Sequence, residues 1–326
     1  MNLLKDQFNP LFFQASLAAG GVALMPFNFL EFAIPHNEGL INFSDIIWTS
    51  LSSLQMVYYS LLIVIMFAAV LIHIALTLVF FRYLVSWIKN RQATEELIND
   101  PYRNVTIFPI VGSLAMSANV IWAPVGFFIP QVAAGLQSLM LPSLIYFGLL
   151  WVALYVLEFR LIRVLRKNTI NIEKFNFIWL LDVFTFGLVS LTGSGIAITT
   201  SNPSIATFAV IGTVITLIIG LIMFFIKLLY LISTQIKVRK LPDAAVLPAF
   251  FLVVPIACLY GLSLFRISSY FQTYLSIDTS GMSMFIMNSS YVIAVAWVVL
   301  TVYLLWYYFR NEFIKSKYSA PQWGIV

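Results

Sequence analysis

The sequence predicts an all-α polytopic membrane protein. Three observations lead there: an apolar composition, apolar blocks long enough to cross a bilayer, and basic residues that recur every second block. Of 326 residues, 61% are hydrophobic and 10% charged, with a mean hydropathy of +0.95. A water-soluble domain carries about 25% charged residues, so lipid is the solvent for most of this surface. The blocks of 20 or more apolar residues suit a hydrocarbon core about 30 Å thick at 1.5 Å rise per helical residue.

Eight complete spans are expected, near 10–34, 56–88, 105–130, 141–166, 176–200, 204–236, 244–268 and 283–311. Turn formers separate them: Pro35 to Gly39, Asn99-Asp100-Pro101, Asn202-Pro203, Leu241-Pro242-Asp243 and the polar run from Asp278 to Ser283. The whole of 1–326 reads as one transmembrane domain. The amino terminus has neither a basic n-region nor a small-residue cleavage site, so the first span is expected to be retained.

Sixteen of the 18 Lys and Arg residues lie at the amino terminus or on the side where even spans lead to odd ones. Lys5 belongs to this set, as do Arg82, Lys89, Arg91 and Arg103, the cluster from Arg160 to Lys174, Lys237 to Lys240, and Arg310 to Lys317. The alternate loops, 35–55, 131–140, 201–203 and 269–282, contain none. By the positive-inside rule the chain is a multi-pass protein of the cell membrane with a cytoplasmic amino terminus. Because the bases form a topology signal and no broad patch, the net charge of +5 does not indicate a nucleic-acid partner.

Residue size follows the same two-span period. Even spans are bulky and aliphatic, whereas odd spans hold small, hydroxyl and helix-bending residues. Irregular backbone and polar side chains are tolerated in lipid where they face protein or a wet cavity. Helical hairpins are therefore expected to form an inner ring of odd helices and an outer ring of even ones. The candidates to line a path between the odd helices are Ser16, Gly20 and Pro26 in the first span and Ser113, Ser117, Asn119 and Pro124 in the third. The fifth contributes Ser190, Thr192 and Ser194, and the seventh Phe250, Phe251, Pro255 and Ser263. Spacings such as Ser16-x-x-x-Gly20 and Ser113-x-x-x-Ser117 equally permit close helix packing with no path between.

Charges inside the membrane are candidates in their own right. Asp182 and Lys227 fall at similar depth on adjacent antiparallel spans, and a structural ion pair is preferred to a proton relay. Glu158 and Arg160 are placed to snorkel to the interface. Arg266 is the only base near the outer face, where Glu38, Asp45 and Asp278 are acidic. It is placed to bind an anion, to close the outer vestibule through Glu31 or Asp278, or to anchor at the interface.

No catalytic constellation is visible. His36 and His73 are the only histidines and neither has metal-ligand spacing; no nucleophile elbow, phosphate loop or dinucleotide fingerprint occurs. His73 reads as a packed or hydrogen-bonded helix residue, and the single cysteine, Cys258, as a packing residue. Neither enzyme activity, a cofactor nor a metal is expected. A pore needs only a narrow path, hydroxyl or N–H donors, positive ends of broken helices and a gate.

Several motifs resemble one family. Asn9-Pro10-Leu11-Phe12-Phe13 before Ala-Ser-Leu-Ala-Ala-Gly-Gly is similar to the first helix of the tellurite-resistance/C4-dicarboxylate transporter family, which includes the plant guard-cell slow anion channels. Asp100-Pro101-Tyr102-Arg103-Asn104 resembles that family's His-Pro lead into helix 3, with Asp for His. Trp179-Leu180-Leu181, Leu241-Pro242, Leu247-Pro248-Ala249-Phe250-Phe251 and Val254-Pro255-Ile256-Ala257 match in spacing. Tyr318 to Gly324 is similar to the approach to a ninth helix, so 318–326 is expected to begin one. The resemblance implies ten helices in five hairpins, a homotrimer, and a central pore for small inorganic or organic anions. It also implies a gating phenylalanine on the ninth helix, which has no counterpart here. Proton-coupled dicarboxylate or sulfite-type carriage is the alternative within transport; an intramembrane enzyme or a helical receptor is the alternative outside it.

Overall fold

The computed structural model describes residues 8–36, 39–239, 241–313, 315 and 320–325, with Ile172 described by its backbone alone. Lys5, Glu38, Lys240, Lys317, Tyr318 and Ser319, which enter the sequence argument, lie outside the described residues.

Among the described residues, eight helices are long and apolar enough to cross a membrane. They are α1 (Pro10–Ala33), α2 (Ser53–Lys89), α3 (Asn104–Phe128), α4 (Leu136–Lys167), α5 (Phe177–Thr199), α6 (Pro203–Val238), α7 (Ala244–Leu275) and α8 (Ser280–Leu304). Three boundaries differ most from expectation, one of them the end of α8 at Leu304, where Leu305 separates it from a short helix, Trp306–Asn311. α4 begins at Leu136 because a short helix, Pro130–Ala134, turns the chain first. α7 continues to Leu275, where Ser276 takes a left-handed conformation and the Ile277 amide bonds back to the Phe271 carbonyl. That is a helix-terminating geometry at a polar residue.

The starts follow from local chemistry. Asn9 accepts from the Leu11 amide ahead of Pro10, and Asn202 accepts from Ser204 and Ile205 around Pro203. Proline suits a first turn, where its missing N–H would have had no partner. Ser52 and Gln55 form a reciprocal capping box at α2. Inside α3, Pro124 cannot donate, and the helix widens into a π turn over Ile121–Val125. Within 318–326, where a ninth helix is expected to begin, Ala320–Ile325 form a short 3₁₀ turn.

The odd helices are inside and the even ones outside. Between 56% and 94% of each odd span's most apolar window is buried, against 11% to 39% for the even spans. α3 packs on α1, α5 on α3 and α7 on α5, while α2, α6 and α8 each lie on the odd helix before them. Leu61, Val64 and Leu78 of α2 and Phe285 and Val299 of α8 point outward, as a lipid-facing surface requires. The ring is nevertheless an arc, because α1 and α7 make little direct contact. Residues Ala320–Ile325 lie against α1 and the first turns of α7 at one end of this opening.

Candidate functional site

Between the four inner helices lies a cavity of about 240 Å³, against the roughly 10–15 Å³ that a single water needs on the same measure. α1 presents Gln14, Leu17, Ala18, Gly21, Leu24, Met25 and Asn28, a run of i+3 and i+4 steps along one face. α5 presents Phe184, Leu188 and Leu191; α7 presents Val254, Pro255, Cys258, Leu259 and Leu262; α3 adds Met116. Trp323 and Gly324 complete the wall. Gln14 lies toward the basic end and Asn28 toward the far end, about 20 Å apart at 1.5 Å per residue. Between them the wall is almost wholly apolar. Met25 belongs to the wall yet is 66% exposed, so the cavity opens sideways between α1 and α7.

Of the fourteen residues expected to line a path, Pro255 is on this wall, while Ser117 borders a separate cavity between α3 and α4 and Phe250 one beside α6 and α8. The small and hydroxyl residues join helices. Ser113 donates to Ser16 at 3.1 Å, and the Asn119 amide reaches Thr192 at 2.9 Å. Ser117 lies 3.0 Å from Nε2 of His73, and Nδ1 of His73 is 2.7 Å from the Ser16 carbonyl. His73 thus enters a buried α1–α2–α3 network with Ser16, Thr77, Ser113 and Ser117. Gly20 faces it, since a Cβ there would stand 2.9 Å from Nδ1 of His73. Ser194 bonds the Leu191 carbonyl, while the hydroxyls of Ser190 and Ser263 are buried without a partner among the described residues. Pro26 and Pro124 are buried within their helices.

Phe250 and Phe251 are packing residues. Phe250 stacks on Phe177 at 4.1 Å between centroids, and Phe251 meets Phe309 edge-on at 5.9 Å. Both belong to the 3₁₀ turn Ala244–Leu252 at the basic end, which turns them away from the cavity. The ring that enters the wall is Phe184, and the signal for it was periodicity: Phe184, Leu188 and Leu191 share one face of α5. Cys258, expected as packing, is exposed on the cavity wall.

Asp182 and Lys227 pair directly. Asp182 also accepts from the Val183 amide at 2.6 Å, and Lys227 donates to the Trp179 carbonyl at 3.1 Å with its ammonium 4.5 Å from the Trp179 ring center. The pair joins α5 to α6, away from the cavity wall. Glu158 does not snorkel as expected. It follows Leu150 and Leu154 on the buried stripe of α4, is 7% exposed, and comes within electrostatic reach of Asp182 and Lys227. Arg160, two residues on, faces outward.

Arg266 continues the cavity face of α7, following Pro255, Leu259 and Leu262 at helical steps. Its Nη1 donates to the Leu191 carbonyl at 3.3 Å beside Gly195, and among the described residues no ion pair joins it to Glu31 or Asp278. Glu31 instead accepts from the Ile41 amide at 2.8 Å and faces His36 at 3.7 Å, while Asp278 caps Ser280 at 3.0 Å.

An arc of helices around an apolar cavity, jacketed by lipid-facing helices, defines a polytopic membrane protein built around a central cavity. The family model for voltage-dependent anion channels, SLAC1, matches residues 7–326, and the chain belongs to that family. This is the group to which the tellurite-resistance resemblance pointed. No curated protein and no solved structure matched the chain.

Proposed function

We propose that the chain conducts small inorganic or organic anions through the cavity between α1, α3, α5 and α7. The observation that carries this reading is the alignment of one face each of α1, α5 and α7, with Met116 of α3, on a single cavity within a chain of the voltage-dependent anion channel family. The wall bears no charged side chain and has Gln14 and Asn28 toward its two ends. Such a wall suits a weakly held permeant, and its apolar middle suits a gate that closes by dewetting. The reading places the amino terminus in the cytoplasm of a cell and assembles the chain as a homotrimer, with the apolar faces of the even helices meeting lipid or neighboring copies.

The single cysteine provides the test, because Cys258 stands on the cavity wall. Purified protein in liposomes should pass chloride, nitrate, sulfite or malate down a gradient. Treatment with the anionic thiol reagent sulfonatoethyl methanethiosulfonate should block that flux, and Cys258→Ser should resist the block. Flux no greater than that of empty liposomes, or equal insensitivity of both proteins to the reagent, refutes the reading. The buried Glu158, Asp182 and Lys227 cluster favors one alternative, a proton-coupled carrier of dicarboxylates or sulfite. In that case flux would follow an imposed pH gradient at zero anion gradient.

A further inference from the structure

Arg266 is a half-buried cation lacking a direct counter-charge among the described residues. Its one hydrogen bond runs from Nη1 to the Leu191 carbonyl, and its remaining N–H groups meet no acceptor among the described residues. Glu31 is within electrostatic reach on α1 but is occupied by the Ile41 amide and His36. A partly desolvated guanidinium left in this state is costly unless an anion completes it.

Its position is equally specific. Leu191 and Leu262 are the last wall residues of α5 and α7 toward the far end, and Arg266 lies one turn beyond both. On α5 the next residue of the wall face is Gly195, whose missing side chain leaves room for the guanidinium. Nη1 would be 3.4 Å from a Cβ placed there, with the Trp122 ring 3.5 Å away. The fork is therefore held on one side by α5, and part of the Arg266 side chain remains exposed.

We propose that Arg266 forms an anion site at the far end of the cavity and takes small oxyanions, such as carboxylates, nitrate or sulfite, in preference to halides. A guanidinium presents parallel N–H groups that match two oxygens of one anion, a fit that neither a spherical ion nor an ammonium reproduces. This inference rests on reading the cavity as an anion path, and it adds the residue that discriminates among anions.

Nitrate and chloride flux and reversal potentials are to be compared in liposomes for the wild type, Arg266→Lys and Arg266→Gln. Arg266→Gln should lower nitrate flux at least tenfold. Arg266→Lys should keep anion-over-cation selectivity but lose most of the nitrate-over-chloride preference, a split that a merely structural arginine would not produce. Wild-type flux and preference in both variants overturns the proposal. If the wild type carries no flux, the proposed function fails, and the site is then decided at equilibrium in detergent. Nitrate should raise the melting temperature of the wild type more than chloride does, and more than it raises that of Arg266→Lys; equal shifts overturn the site.

Discussion

Removing the charge of Lys227 tests how α5 and α6 are held together. Asp182 is fully buried, and in Lys227→Met its only remaining partner among the described residues is the Val183 amide. Glu158, 7% exposed and with one oxygen unpartnered among the described residues, then shares the same apolar pocket as a second carboxyl. Breaking a buried pair from one side costs about 3–5 kcal/mol, and the second carboxyl places Lys227→Met at the upper end. Asp182→Asn is milder, because Lys227 keeps the Trp179 carbonyl at 3.1 Å and the Trp179 ring at 4.5 Å, with Glu158 nearby. The loss there is about 1.5–3 kcal/mol, the worth of a hydrogen bond to a charged group. The double variant removes the charge that Lys227→Met strands, so it should be more stable than Lys227→Met by at least ~1 kcal/mol. Unfolding by SDS titration from mild micelles, followed by circular dichroism, reads all three. Equal losses in the two single variants, or a double variant as unstable as their sum, refutes the assignment of this pair as the α5–α6 lock.

Two adjacent glycines should behave oppositely. Gly21 faces the cavity with nothing near its Cβ position, so Gly21→Leu should cut anion flux at least tenfold while changing stability by less than about 0.5 kcal/mol. Gly20→Ala meets Met116 and His73, and SDS titration should show an overpacking loss of about 1–3 kcal/mol. In the loop after α1, the Ile34 carbonyl, 2.8 Å from Nδ1, raises the pKa of His36 above 6.5 against the opposing effect of partial burial, and Glu31 adds to the rise. A raised folded value means that this stabilization is complete below about pH 6.5 and is lost as pH climbs through the folded value. Hydrogen exchange at the Ile41 amide, which donates to Glu31, should therefore show protection that fades over that range in the wild type and is flat in His36→Gln.

The sequence by itself determined the lipid environment, the eight spans, the inside and outside helices and the pairing of Asp182 with Lys227. Each follows from a one-dimensional regularity: apolar run length, the cost of charge in hydrocarbon, and the two-span alternation of small and bulky residues. Which residues face the cavity was decided only by the tertiary structure. Polarity misdirected the reading because helices in lipid lack a hydrophobic force driving them together. They associate through small residues and hydrogen bonds, so Ser16, Ser113, Asn119 and Thr192 are used at the seams while leucines, Met116 and Phe184 form the wall. A helix contact and a cavity face have the same period, and only the rotation of each helix against its neighbors separates them. The burial of Glu158, the exposure of Cys258 and the opening between α1 and α7 depend on that same rotation and packing.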